Sequence, residues 1–182
     1  MKGHKGQSYK YGIEGKDAHI NANDDVFTPD WLAKDICEMF DIKGKILEPC
    51  KGDGVFLKYL PKDTDWCEIR EGRNFYDYKK KVNWIVTNPP YSDFNRFLEH
   101  CFNLADNVLL LIPITKLVTS WKRIKWYKDY GWIRTIWFIG TGNKCGFPFG
   151  YPVGAVHFKK GYFGDIHTIY GLDKQTDVSS ED

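Results

Sequence analysis

The chain predicts a single α/β domain built on a mostly parallel sheet with an antiparallel edge, and three observations carry this. Short apolar, β-branched runs alternate with segments whose apolar residues recur at helical spacing. The run at residues 107–113 is apolar without alternation, the mark of a strand covered on both faces. Near the end, strand-like runs follow one another without a helical pattern between them, as antiparallel neighbours do. A length of 182 residues supports about one such core.

Taken in order, residues 1–24 are polar and glycine-rich without periodicity and read as an extended N-terminal arm. Residues 25–171 form the domain, and residues 172–182 read as an acidic, frayed tail. Thr28-Pro29-Asp30 opens a helix, with Thr28 as N-cap, Pro29 at the first helical position, and Leu32, Ile36 and Phe40 on the apolar face. Residues 45–47 are a short strand, and residues 52–60 turn from a glycine loop into a second helix. Strands follow at 64–69 and 82–87. Residues 94–104 are a helix with Phe94, Phe97, Leu98 and Cys101 inward. After the strand at 107–113, residues 114–130 read as one helix ending before Gly131, and 132–139, 153–159 and 167–170 as the last strands. Internal repeats are absent.

Composition narrows the function. A formal charge of +2 with pI near 8.2 permits nucleic acid without requiring it. The 7 Trp, 11 Tyr and 12 Phe serve either as core or as flat surfaces for stacking on bases. Five cysteines (Cys37, Cys50, Cys67, Cys101, Cys145) form no CxxC pair and no zinc-finger spacing, which suits reduced thiols in a cytoplasmic protein and no metal. The longest apolar run, VLLLIPI, has the length of a strand, so no membrane span is expected.

Ligands of parallel sheets bind beyond the carboxyl ends of the strands. The first strand runs into ILEPCKGDGVF, where Glu48 sets a carboxylate at the tip and Gly52 and Gly54 let the backbone turn tightly. An acid opening the loop disfavours a phosphate and favours an ammonium or hydroxyl group. The second strand ends on Glu68, placed as an acid that grips ribose hydroxyls. The third ends in VNWIVTNPPYSDF: Asn88 at the tip, then Pro89 and Pro90, which restrict the backbone and donate no N–H, then Tyr91. Asn88's amide oxygen and Pro89's carbonyl make two fixed acceptors beside a ring, a match for a planar group bearing –NH2.

NPPY after a buried strand resembles the catalytic motif of the S-adenosylmethionine-dependent amino-methyltransferases that act on DNA bases, above all on the adenine exocyclic nitrogen. FTPDWLA, at residues 27–33, is similar to that family's FTPxxLA element, and ILEPCKGDGVF to its glycine-loop motif. Their order resembles the arrangement called gamma, and the likeness runs from Phe27 to about Lys160. The resemblance implies a Rossmann-like methyltransferase fold with S-adenosylmethionine as cofactor. It implies that Phe27, Thr28 and Pro29 hold the methionine moiety and Glu48 its ammonium, with Pro49, Cys50, Gly52, Gly54 and Phe56 shaping the loop around it. Glu68 and Ile69 would meet ribose and adenine. Asn74 and Phe75 stand where the family often has Asp-Phe, with Asp77 as the fallback acceptor. Asn88, Pro89, Pro90 and Tyr91 would be catalytic, Tyr91 stacking on a flipped or single-stranded base.

Two departures stand out. Only four residues separate Ile69 from Asn74, too few for a crossover helix, so the helix between the second and third strands is expected to be trimmed and that sheet edge lost. A large target-recognition domain is also missing from the pattern, so sequence choice would come from short loops, a specificity partner, a second copy of the chain, or hardly at all. Phe147 and Phe149 would close the other face of the base, and Lys122 and Arg123 of WKRIKWYK would meet the DNA backbone. The competing readings are methylation of RNA adenine, of a DNA cytosine amine or of a protein glutamine amide, and a non-catalytic nucleic-acid-binding module.

Overall fold

The computed structural model describes residues 26–171, together with the backbone of Ser8–Tyr9 (β1) and Ile20–Asn21 (β2), which pair antiparallel. The rest of the expected arm at 1–24, and the acidic tail at 172–182, lie outside the described residues. A seven-stranded sheet organises the domain. Its strands are β3 (Ile46–Glu48), β4 (Asp65–Trp66), β5 (Val82–Thr87), β6 (Ala105–Pro113), β7 (Gly131–Thr141), β8 (Pro152–Lys160) and β9 (His167–Tyr170), in the spatial order β4-β3-β5-β6-β8-β7-β9. One strand, β8, runs against the others; it lies between β6 and β7, in the half of the sheet where the antiparallel edge is expected.

Two layers cover the sheet. Helix α1 (Asp30–Met39), the turn at Phe56–Lys58 and the short α5 (Gly142–Cys145) pack on one face; α2 (Phe94–Leu104) and α4 (Trp121–Tyr130) pack on the other. Strand β6 shows why its sequence does not alternate. Val108, Leu110 and Ile112 enter the α2 core while Leu109 and Leu111 enter the α1 core, so both faces are apolar. The α2 residues Phe94, Phe97, Leu98 and Cys101 point inward as their spacing predicts. Among the described residues no helix is long and apolar enough to cross a membrane.

Several local expectations are corrected. Thr28 does not cap α1: Leu32 and Ala33 donate to the Pro29 carbonyl at 3.0 and 3.1 Å, and the Thr28 hydroxyl is engaged elsewhere. The second helix shrinks to the single 3₁₀ turn Phe56–Lys58, because Gly52 (φ 55) and Gly54 (φ 84) are left-handed and Pro61 follows, leaving too few residues to nucleate a helix. Strand β4 keeps only Asp65–Trp66, since Glu68 leaves the ladder to bridge Arg73. The helix expected at 114–130 divides into α3 (Thr115–Val118) and α4, because extended Ser120 caps the second with its own hydroxyl.

From β4 the chain reaches β5 through two 3₁₀ turns, Ile69–Glu71 and Phe75–Asp77, and β4 stands at the sheet edge. The missing crossover helix and lost edge are thus as the spacing requires. His100 of α2 holds this passage: its Nε2–H lies 3.1 Å from the Phe75 carbonyl and 3.2 Å from that of Tyr78.

A second histidine, buried where His100 is only partly so, gives a test of the packing. His157 stacks on Trp84 (ring centroids 4.7 Å apart) and lies 3.0 Å from Asn107 Oδ1, and burial pushes its pKa down to about 3. The unfolded chain takes up a proton here near the ordinary value of 6.5, which the folded chain refuses until about pH 3. The stabilisation is full above pH 6.5 and drains away as the pH falls through that window. His157→Gln keeps an N–H donor but no titration, so the wild type's stability advantage, read from denaturant midpoints, should shrink steadily from pH 7 to pH 4. A constant gap would show that His157 is not held neutral.

Candidate active site

Three parallel strands end side by side, and each delivers one polar side chain. Strand β5 brings Asn88 one position past its last paired residue, Thr87. The Asn88 amide donates through Nδ2 to the Val26 carbonyl and the Thr28 hydroxyl, both at 3.2 Å. With both donors on that segment, Oδ1 faces the other way and accepts from the Tyr91 hydroxyl at 2.9 Å. A reversed amide would set oxygen against a carbonyl, so the network decides which atom is the acceptor. The Tyr91 hydroxyl also lies 3.3 Å from the Leu111 carbonyl, while Lys116 Nζ donates to the Tyr91 carbonyl at 3.0 Å.

Glu48 ends β3 and is 1% exposed. Its Oε1 accepts from the Cys50 N–H at 3.0 Å, and its Oε2 has no partner. The Thr87 hydroxyl lies beside it, also buried and also without a closed hydrogen bond. Burial lifts the Glu48 pKa to about 8, with Glu68 adding a smaller push; the Thr87 hydroxyl and Cys50 N–H pull the other way. A buried carboxyl with one bare oxygen costs folding energy, so this position invites a cationic or donor group from outside.

Glu68, just past β4, accepts from Gly52 N–H at 2.8 Å and Arg70 N–H at 3.0 Å. It therefore shapes the glycine loop as well as keeping lone pairs free on a half-buried carboxylate. The Phe27 ring, 50% exposed, lies against Gly52, where an added Cβ would meet it at 3.5 Å. The two segments are joined again at Asp30, which pairs with Lys58 at 2.7 Å and accepts from the Tyr59 hydroxyl. FTP, the glycine loop and NPPY, distant in sequence, thus surround one crevice. Pro49 and Pro89 are buried beneath it, while Pro29, Cys50, Gly54, Ile69 and Pro90 are partly open.

Other residues singled out by sequence fall elsewhere. Phe56 is core beneath α1, and Phe75 is core against Phe97 and His100, with ring centroids 4.8 and 4.6 Å away. Neither buried ring has a face to offer a cofactor. Asn74 Oδ1 accepts from its own Tyr76 N–H at 3.1 Å, an Asx-type cap that uses one of its lone pairs, and Asp77 points into solvent. Phe147 is 4% exposed and stacks on Phe149, which stacks on Tyr151 at 4.0 Å, so Phe147 is loop packing and only the outer rings reach the surface. Arg123 is 7% exposed, bonded to the Thr119 hydroxyl and lying 5.5 Å over the Phe94 ring; a side chain so enclosed cannot follow phosphates. Lys122 is exposed.

Sequence reading missed Thr87, Lys116 and Val26. Thr87 left a signal, a lone hydroxyl in an apolar strand one position before Asn88. Val26 contributes only a carbonyl and Lys116 only a tertiary contact, and neither leaves a mark in the residue pattern. Among the described residues no three His, Cys, Asp or Glu side chains are grouped to hold a metal ion.

The Glu48 carboxyl makes the ligand-free protein pH-sensitive in a defined direction. Its folded pKa lies above the ordinary 4.5, so its contribution is full below pH 4.5 and is lost as the pH rises through about 8. Glu48→Gln removes that titration while keeping an acceptor for Cys50. The variant should melt progressively higher than wild type as the pH is raised from 5 to 8.5 in ligand-free thermal scans. A gap that does not widen would mean Glu48 ionises freely.

No protein-family model and no curated protein sequence matches the chain. Solved structures do match in shape. A Listeria monocytogenes protein assigned to the class I S-adenosylmethionine-dependent methyltransferases superposes with TM-score 0.59 at 15% identity, over 82% of this chain and 67% of its own. The M protein of the type I restriction enzyme EcoKI gives 0.58 at 16%, over 74% and 44%. A type I restriction-modification methyltransferase subunit from Streptococcus thermophilus gives 0.58 at 14%, over 80% and 47%. The chain thus spans less than half the length of the two restriction-system proteins. At these identities the likeness is one of architecture: the chain has the Rossmann-like fold of these methyltransferases, a mostly parallel seven-stranded sheet covered on both faces.

Proposed function

We propose that the chain transfers a methyl group from S-adenosylmethionine to the exocyclic amine of adenine in DNA. The observation that carries this is the Asn88 amide, locked so that its oxygen, and not its nitrogen, faces the crevice. The residues fit the cofactor. The bare Glu48 oxygen suits its ammonium, the left-handed Gly52 and Gly54 allow close approach, Phe27 covers the loop, and Glu68 keeps lone pairs for ribose hydroxyls. When bound, the cofactor supplies an electrophilic methyl group on a sulfonium.

The chain's own part is acceptance and positioning. An adenine amine is a poor nucleophile because its lone pair is delocalised into the ring. Hydrogen bonds from that amine to Asn88 Oδ1 and the Pro89 carbonyl favour a more tetrahedral nitrogen and aim its lone pair. With the cofactor bound, its sulfonium would supply the methyl, the sulfur–carbon bond breaking as the nitrogen–carbon bond forms, and the amine's extra proton would leave to solvent. The Tyr91 hydroxyl takes one lone pair of Asn88 Oδ1 and leaves the other for the amine. The Tyr91 ring, held beside that acceptor, would stack on the base.

Methyl-labelled cofactor offered to DNA, RNA and protein, with mass spectrometry of the products, tests the reading. Label on DNA adenine supports it; label only on RNA, cytosine or glutamine overturns the substrate. Asn88→Ala removes both the acceptor and the tie to Val26 and Thr28, so its rate is compared in single turnovers at saturating cofactor. A loss of about 2–4 kcal/mol in the barrier is expected, as for one preorganised polar contact. Near-wild-type turnover would leave NPPY as a stiff turn only. Because Glu48 must ionise to meet a cation, cofactor binding at pH 6.5 should release a proton, seen by calorimetry in buffers of different ionisation enthalpy; Glu48→Gln should abolish the release.

A further inference from the structure

We propose that Trp121 is a stacking platform for the nucleobase flanking the target nucleotide; this deepens the nucleic-acid reading above and rests on it. Trp121 is 80% exposed and Val118 72%, at the corner between α3 and α4. An indole is among the largest apolar surfaces a chain has to bury, and this one is held out at a helix start. The corner is not a loose loop. Ser120 caps α4, buried Arg123 ties the turn to Thr119 and lies over Phe94, and Lys116 Nζ holds the Tyr91 carbonyl. Trp121 is thus mounted on the same framework as the acceptor loop.

Charge identifies the occupant. Residues 115–128 carry five Lys and Arg and no Asp or Glu. With Arg123 internal, Lys122, Lys125 and Lys128 remain at the surface, and Lys125, four residues after Trp121, shares its side of the helix. A flat ring followed by surface ammonium groups suits a polynucleotide strand, a base on the ring and phosphates along the helix. An apolar protein surface would leave those cations facing nothing, whereas a phosphodiester complements them. Stacking on any base also tolerates sequence.

The test uses the full chain with Trp121→Ala, Trp121→Leu and Trp121→Phe. Fluorescence anisotropy of a labelled oligonucleotide carrying the target base gives affinity; calorimetry gives cofactor affinity; single turnovers at saturating oligonucleotide give the rate. Ala and Leu should weaken oligonucleotide binding by about fivefold to a hundredfold, and Phe should restore most of it. Cofactor affinity and the saturated rate should stay at wild-type values. Leu binding as well as wild type would overturn the proposal, because greasiness and not a ring would then suffice; so would three variants with unchanged affinity. A wild type that binds no oligonucleotide, whatever stands at 121, would instead overturn the nucleic-acid reading itself and the platform with it.

Discussion

The two hydrogen bonds from Asn88 Nδ2 join residues 62 and 60 positions apart, Val26 and Thr28, to the tip of β5. The arrangement of the crevice follows from that join. It brings the start of α1 against the glycine loop, so that Phe27 rests on Gly52, and it leaves the Asn88 oxygen as the side chain's outward-facing atom. An amide is the only neutral side chain that can do both jobs, because it carries two donors and an acceptor on opposite arms. A carboxylate would repel the Val26 carbonyl, and a hydroxyl could not reach three partners.

Around that join the fold tolerates polar discomfort. Glu48 Oε2 and the Thr87 hydroxyl are buried without partners at adjacent strand tips, and the carboxyl answers by holding its proton. Native interiors seldom keep such groups idle, because each costs on the order of 1–3 kcal/mol. Elsewhere among the described residues Thr64 Oγ1, Arg123 Nε and the Tyr127 hydroxyl are also buried without partners, whereas His157, Asn107 and the Asn83 carbonyl form a closed chain. The strand tips differ in bringing two such groups together.

What could be read from sequence follows from how each feature is encoded. Strand β5 and helix α2 appear with their expected boundaries, since both are long apolar patterns of clean period. The placement of Glu48, Glu68 and Asn88 at strand ends was legible because an acid or amide there interrupts an apolar run. The position of β8 was not: consecutive strands β7 and β8 announce a pair, but not that β8 inserts beside β6. Nor was the fate of Phe56, Phe75 and Phe147, since a residue in a 3₁₀ turn or irregular loop has no periodicity to say which way it faces. Arg123 misled most directly, for its charge argued for the surface while Thr119 and Phe94 enclosed it.

The passage from β4 to β5 replaces a helix by two single turns, and its attachments are mostly side-chain clasps: Arg73 to Asp65 at 2.7 Å, Tyr76 to Asp93 at 2.9 Å, and His100 to two carbonyls. Its amides from residue 70 to 78 bond mostly within the passage, in the two 3₁₀ turns and at the Glu68–Arg73 bridge, and not to a neighbouring strand. Bonds closed over so few residues are expected to open before the ladders of β5 and β6 do. A ligand seated over Glu68 would select the passage's closed form and slow that opening. Two short turns thus stand where a crossover helix would brace the sheet, and this edge is held at points rather than along a helix face.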